Sequence, residues 1–377
     1  MSTTAVPMRA APRRLTSGRH QVHVTAVIPA HDEAANIAAT LRSLTSQTVR
    51  PVRVVVVADN CTDATAAIAR AHGAEVIETV DNTAKKAGAL NQALRELMAG
   101  TPDGETILVL DADSTLSFDF IRIAARQIAA DPSLGAVGGI FLGDRPSSVL
   151  ERMQANEYAR YSRDIARHRG RVFVLSGTGS LIRASALRSV QAARGNHLPG
   201  NRGDAYDPSA ITEDNELTLA LKTMGWDLVS PAECQVFTEL MPSWRDLWKQ
   251  RLRWQRGAID NVRAYGLNRI TARYWGQQIG LGVGIMAMAA YLLLMTVTTI
   301  TDGVRLQPLW LGIGAIFVLE RVVTVWTHGW RARLLAVLML PELLFDLFLM
   351  AVFVRSLIDL SRNSAPTWHH VGAPATG

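Results

Sequence analysis

From Ile279 to Ile300 the chain carries no charged residue and is built largely of Gly, Ala, Met, Leu and Thr. Roughly 20 apolar residues suffice to cross a bilayer as a helix, because the helix satisfies every backbone donor and acceptor internally. The run therefore predicts a membrane span. It also divides the chain, since up to about residue 275 the hydrophobic runs are short and bounded by polar turns. Two further apolar segments follow, Pro308 to Trp326 and Leu334 to Val354, which hold Glu320 and Arg321, then Glu342 and Asp346. Both are expected to be spans packed against protein, since ionisable groups in lipid are costly. Two roles stand for those four charges: lining a hydrophilic path, or pairing of Arg321 with the carboxylates to hold the spans together.

Arg269 and Arg273 precede the first span, and Arg331 and Arg333 lie between the second and third. Positive charge favours the cytoplasmic side, so the globular half is expected inside the cell, in a multi-pass protein of the cell membrane. Three spans put the tail from Arg362 outside unless the third segment is re-entrant. The expected organisation is a disordered basic tail over 1–21, an α/β domain over 22–240, amphipathic interfacial helices over 241–276, three spans over 277–358 and a tail over 359–377. The tail 1–21 contains Arg9, Arg13, Arg14 and Arg19 but no apolar run of leader length.

Thirty-nine Lys and Arg against 33 Asp and Glu leave a charge of +6, which suits anionic lipid, a phosphorylated substrate or nucleic acid. No nucleic-acid motif accompanies the basic residues, which cluster with Trp beside the spans, so nucleic acid is not expected as a partner. Two cysteines, Cys61 and Cys234, exclude a disulfide framework and a thiolate zinc site.

Residues 22 to 230 alternate two patterns. Val22–Pro29, Pro51–Ala58, Glu75–Val80, Thr106–Leu110 and Ala136–Phe141 are short and mostly Val- and Ile-rich; Glu33–Thr48, Thr62–His72, Ala84–Met98 and Phe118–Ala130 have helical spacing. This βαβα rhythm predicts a mainly parallel sheet covered on both faces, with ligands beyond the carboxyl ends of the strands. At those ends stand Pro29-Ala30-His31-Asp32-Glu33, Asp59-Asn60-Cys61-Thr62-Asp63 and Asp111-Ala112-Asp113. Each alone is explained by turn and cap chemistry. Their recurrence at one edge, and the Asp-x-Asp above all, suits a divalent cation bound together with a substrate diphosphate. No phosphate loop of the GxxxxGK[ST] type is present.

Thr212-Glu213-Asp214 opens a helical run. Thr212 is expected to cap it, with the acids complementing the helix dipole; alternatively, one acid is a catalytic base for a hydroxyl. In Gln250-Arg251-Leu252-Arg253-Trp254, Gln250, Arg253 and Trp254 share a helix face. Arginine suits a diphosphate and an indole suits a sugar ring, whereas the bland role is an interfacial helix. Both roles are compatible.

The Asp-x-Asp, Thr-Glu-Asp and Gln-x-x-Arg-Trp, in this order and followed by apolar segments, resemble the processive family 2 glycosyltransferases, such as cellulose, chitin, hyaluronan and poly-N-acetylglucosamine synthases. The resemblance covers about residues 22 to 275 and implies a GT-A (Rossmann-like) nucleotide-sugar domain. It implies that Pro29, Ala30, Glu33 and Asp59 border the uridine pocket and that Lys86, in Lys86-Ala87-Gly88-Ala89-Leu90-Asn91, lies beside the donor. Asp111 is then expected at the nucleotide sugar, Asp113 at Mg²⁺ or Mn²⁺, and Arg253 at the diphosphate. Asp214, with Glu213 beside it, is expected to do the catalysis, and Gln250, Trp254, Gly179 and Ser180 to meet the acceptor. The usual Asp-Asp-Gly-Ser is here Asp59-Asn60-Cys61-Thr62, one carboxylate fewer.

The implied reaction is inverting transfer from UDP-N-acetylglucosamine or UDP-glucose to a growing β-linked glycan. Two alternatives remain: single transfer to a polyprenyl phosphate or other lipid, and a non-catalytic membrane protein that binds nucleotide sugars. Membrane lipids are expected partners, and a homo-oligomer follows if the spans form a channel.

Overall fold

The computed structural model describes residues 22–168, 170–303 and 308–362. The basic tail 1–21, and the C-terminal tail from residue 363 on, lie outside the described residues. The chain begins with β1 (Val24–Ala30), α1 (Ile37–Thr45), β2 (Arg53–Ala58), α2 (Thr65–Ala71), β3 (Glu75–Glu78), α3 (Lys85–Gly100) and β4 (Thr106–Leu110). It continues through β5 (Thr115–Leu116), α4 (Phe120–Ala130), β6 (Leu134–Gly138), β7 (Ile140–Gly143) and α5 (Val149–Arg167). Then come β8 (Gly179–Arg183), α6 (Ala184–Ala193), α7 (Glu213–Thr223), β9 (Asp227–Val229) and β10 (Gln235–Thr238).

Strand alternation explains the layers. Val27, Val55, Val57, Ile107 and Val109 point to one face, where Leu90, Leu94, Leu187 and Leu217 of α3, α6 and α7 cover them. Ala26, Ile28, Val56, Leu108 and Leu110 point to the other, beneath Ile37, Leu41, Phe120 and Ile121 of α1 and α4. With both faces buried, β1 is apolar nearly throughout, and all seven of its residues are buried. The seven-stranded sheet has the order β3-β2-β1-β4-β8-β6-β9. It is parallel except for β8, which runs antiparallel to β4 and β6. A second sheet, β5-β10-β7, stands beside it.

The stretch expected as one strand over Ala136–Phe141 is therefore two, in different sheets. The chain crosses at Gly139, whose amide donates to Gly179 O at 2.7 Å, and where a Cβ would lie 2.2 Å from Val236 Cγ2. Only glycine fits so close an approach. Expected elements did not include α5 or β8. The start of α5 is nonetheless fixed by a reciprocal pair in which Ser148 Oγ accepts from Glu151 N and Glu151 Oε2 accepts from Ser148 N.

Beyond the sheets lie α8 (Trp244–Tyr265), α9 (Ala272–Asp302), α10 (Pro308–Thr324), α11 (Trp330–Val337) and α12 (Met339–Ser361). Of the three expected spans, the first is matched by an unbroken helix. Among the described residues, α9 is the one unbroken helix long and apolar enough to cross a membrane, and none of its apolar window is buried by protein. The 17-residue α10 ends on Glu320 and Arg321 near its last turn. The third segment breaks at Leu338, with α11 and α12 bent by 78°. Near its start, Glu342 meets Arg160 of α5 at 2.9 Å; in the next turn, Phe345 and Phe348 pack on Trp244 and Trp248 of α8. Near its end, Asp359 borders the cleft described below.

The charges in these segments pair with one another. Arg321 binds Glu342 and Asp346, each at 2.6 Å, while Glu342, buried, also accepts from Asn156 at 3.4 Å. Glu320 accepts from Thr324 Oγ1 at 3.0 Å.

Candidate active site

The parallel register sets Ala30 beside Ala58, and β4 ends along the same edge, so the loops after all three strands open into one cleft of about 1280 Å³. Pro29, Ala30, Glu33, Asp59, Lys86, Asp111, Asp113, Glu213, Asp214, Gln250, Arg253 and Trp254 all line it. Asp59 is buried, and its Oδ1 accepts from Asn60, Thr79 and Asn82 at 3.1, 2.8 and 2.7 Å. The missing second carboxylate thus has a replacement of a different kind. Asn60, at φ 50°, donates to Asp59 and to Asn82 O and tightens the turn.

Lys86, in the first turn of α3, bridges two motifs distant in sequence. Its ammonium lies 2.6 Å from Asp111 Oδ1 and 2.7 Å from Glu213 Oε1. Burial would lower its proton affinity, but the two carboxylates raise it well above the ordinary lysine value. This separates the adjacent acids of α7. Burial also acts to raise Glu213, yet Lys86 outweighs it and holds that carboxyl below its usual range. Asp214 has no such partner. Its oxygens accept from the Gly177 and Asn215 amides at 3.1 and 2.7 Å, and burial, reinforced by the Glu213 charge, pushes its carboxyl up to about 6.

The rest of the rim is crowded with negative charge. Burial lifts Asp111 to about 6 against the pull of Lys86, with Asp113 and Glu213 adding to the rise. Asp113 is also raised, by burial and by Glu239, although Ser114 donates to it at 2.9 Å. Glu33 reaches about 7, mainly by burial, opposed by a hydrogen bond from Asn36 and reinforced by Asp113, Glu239 and Asp111.

Helix α8 closes the opposite wall. The expected cap from the Thr212 side chain is not formed. Instead Asn261 of α8 donates to both Thr212 O and Oγ1 at 3.1 Å, and Thr212 sits over Gly257, where a Cβ would be 2.3 Å from its Oγ1. This close approach joins the Thr-Glu-Asp and Gln-x-x-Arg-Trp segments. Arg251 is buried, binds Glu157 at 2.7 Å and lies 4.3 Å over the Trp254 ring. Arg253 has no ion pair or hydrogen bond among the described residues, and the buried Gln250 Oε1 has no hydrogen-bond partner.

The sequence that builds this cleft, with acids on one wall and an Arg-bearing helix on the other, matches the family described as glycosyltransferase like family 2 over residues 20–257. The chain belongs to that family. Poly-β-1,6-N-acetyl-D-glucosamine synthases of Staphylococcus epidermidis and Staphylococcus aureus are 25% identical over 244 and 243 residues, covering 63% of this chain and 55% of theirs. The chain thus spans about half the length of the curated relatives it matches. A mannosyltransferase from Pyrobaculum calidifontis, solved with GDP-mannose and Mn²⁺, superposes with a TM-score of 0.59 at 17% identity, covering 91% of this chain and 88% of that one. At that identity the likeness concerns the fold.

Two expected site residues of this glycosyltransferase lie elsewhere. Gly179 and Ser180 are buried in β8, not on the cleft wall; Ser180 Oγ donates inward to Ser176 O at 2.7 Å, and Gly179 faces Val236 and Leu116. Ser176, Gly177 and Thr178, just before β8, line the cleft instead. Side chains not expected from the sequence include Glu157, Tyr158 and Tyr161 of α5, and Glu239 after β10. The capping pair at Ser148 and Glu151 was a readable signal for α5; nothing local marks Glu239.

The rim fits a divalent cation. Its donors are carboxylate oxygens, which suit Mg²⁺ or Mn²⁺, and burial together with their neighbouring negative charges raises the proton affinities of Glu33, Asp111 and Asp113. A tighter trio, Asp32, Cys61 and Asp63, is explained by its turn: Asp32 accepts from the Thr62 amide at 2.6 Å, and Asp63 from Thr65 and Ala34 at 2.9 Å.

Proposed function

We propose that this family 2 glycosyltransferase transfers a hexose, with inversion, from UDP-N-acetylglucosamine or UDP-glucose to a hydroxyl of a growing β-linked polysaccharide or oligosaccharide. The observation carrying this reading is the unequal treatment of two adjacent acids. Lys86 ties Glu213 to Asp111, whereas Asp214 stays unpaired by any cation in the same cleft as Asp113 and Arg253. A carboxylate raised to about 6 is ionised at neutral pH and more basic than an ordinary aspartate.

In this reading Asp214 takes the acceptor proton as the hydroxyl oxygen bonds to the anomeric carbon and the bond to UDP breaks. Arg253 faces the charge that develops on the diphosphate, and Asp111 and Lys86 hold the donor sugar end. Pro29, Ala30, Glu33 and Asp59 border the nucleoside; Gln250 and Trp254 orient the acceptor sugar. Asp113 would hold Mg²⁺ or Mn²⁺, whose chemistry is charge neutralisation at the leaving diphosphate. The exposed apolar length of α9 supports membrane residence, and Arg269 and Arg273 before it support a cytoplasmic catalytic domain.

A screen of UDP release across UDP-sugars with Mg²⁺ or Mn²⁺, followed by mass analysis of the product, tests the activity. Asp214→Asn should cut transfer by about 10²–10⁴-fold while UDP-sugar binding stays within a few-fold. A fully active Asp214→Asn enzyme removes the base assignment.

A further inference from the structure

The cleft does not end at the motif residues. Past Trp254 its wall continues onto Gln277, Gln278 and Leu281 of α9 and Asp359 of α12. Leu281 belongs to the stretch of α9 that the protein leaves uncovered: it is 44% exposed, Ile279 and Val283 beside it are more so, and none of the apolar window is buried. One side chain therefore borders both the cleft and the surface suited to hydrocarbon. The last turns of α12, where Asp359 borders the cleft, also expose apolar side chains, Val354, Leu357 and Ile358.

The geometry points to an acceptor that is itself anchored in the membrane: a neutral glycolipid, whose sugar headgroup enters the cleft between α9 and α12 while its tails remain in the leaflet. This rests on the reading above and names its acceptor class. Two considerations favour it over other occupants. A soluble sugar gains nothing from an opening onto lipid. Of the arginines at this end, Arg251 is paired with Glu157, Arg256 with Asp260 and Arg355 with Asp359, and Arg253 is taken by the donor diphosphate in this reading. Amides stand beside them: among the described residues Gln250 Oε1 is buried without a partner, and Gln255 donates to Gln278 at 2.6 Å. Amides suit hydroxyls, and a hydroxyl nucleophile needs the base that an already ionised phosphate does not. In the transfer, the headgroup hydroxyl gives its proton to Asp214, its oxygen bonds to the anomeric carbon, and UDP departs with the electrons of the broken bond.

The test uses the full chain in phosphatidylcholine vesicles with three acceptors: a monoglycosyl diacylglycerol, the same glycoside without tails, and a polyprenyl phosphate. A photoreactive version of the glycolipid provides a readout independent of turnover. The expected result is at least about tenfold faster transfer to the glycolipid than to the tailless glycoside, with crosslinks falling within residues 250–281. Leu281→Asp should lower that preference by about tenfold and Leu281→Met should restore it. Equal use of the tailless glycoside, preference for the polyprenyl phosphate, or crosslinks absent from the cleft would each overturn the inference while leaving sugar transfer intact. If no donor gives UDP release yet the cleft crosslinks, the transfer reading fails and the glycolipid site stands.

Discussion

Two clusters of partly or fully buried charge can be compared directly. At the junction of α5, α10 and α12, Arg160 and Arg321 face Glu342 and Asp346, with every pair between 2.6 and 2.9 Å. In the cleft, Glu33, Asp111, Asp113, Glu213 and Asp214 outnumber Lys86 and Arg253. The first set is balanced, and its geometry is closed. The second carries an excess of acids whose proton affinities are raised by burial and, after it, by one another's charge. Balance is what a fastening needs, whereas an imbalance maintained at the cost of stability marks a place built for a ligand.

The comparison breaks most readily at Glu342. Glu342→Leu leaves Arg160 without an ion-pair partner and should cost about 3–5 kcal/mol, seen as a lower unfolding midpoint in detergent. An unchanged midpoint would remove the fastening role. The cleft should respond to a cation instead: Mn²⁺ at 100 times its Kd should stabilise the protein by about 2.7 kcal/mol, and Asp113→Asn should abolish most of that gain.

The same excess of acids fixes a pH dependence. Glu33 and Asp111, raised to about 7 and 6 in the fold, hold protons that the unfolded chain releases above about pH 4. Between these values the folded state binds more protons, so stability of the metal-free protein falls as pH rises from about 4 to 7. Thermal unfolding across that range should show the fall, and saturating Mn²⁺ should flatten it. A rise with pH would contradict the crowded-acid account.

Smaller effects sharpen the picture. Gly257→Ala forces a methyl onto Thr212 and should cost about 1–3 kcal/mol, with turnover falling more than donor binding because Glu213 and Asp214 follow Thr212 directly. Arg53→Ala breaks an exposed pair with Glu75 at 2.7 Å and should cost under about 1 kcal/mol. A larger loss there would show that the rule separating buried from exposed charge has been misapplied.

Much of the sheet was legible because β1, β2 and β4 are buried on both faces and therefore spell continuous apolar runs. Strand β8 was not, since Gly179 and Ser180 read locally as a turn and become a strand only by pairing with β4 and β6. The carboxylates at the rim were readable, for each follows a parallel strand. Their division of labour was not. Nothing within Thr212-Glu213-Asp214 distinguishes two adjacent acids; Lys86, more than a hundred residues earlier, does so by pairing with one of them. In the membrane half, apolar length read as one continuous third segment what the fold divides at Leu338, with Glu342 paired to Arg160 and Phe345 and Phe348 packed on α8.

The sequence by itself determined the strand-edge acids, the long uncharged run from Ile279 to Ile300 and the family to which the chain belongs, because hydrophobic periodicity and short motifs are local. Tertiary structure alone decided which acid stays unpaired, which helix leaves the protein surface and where the cleft opens. Those outcomes depend on distances between residues far apart in the chain, and both charge pairing and burial are set by such distances.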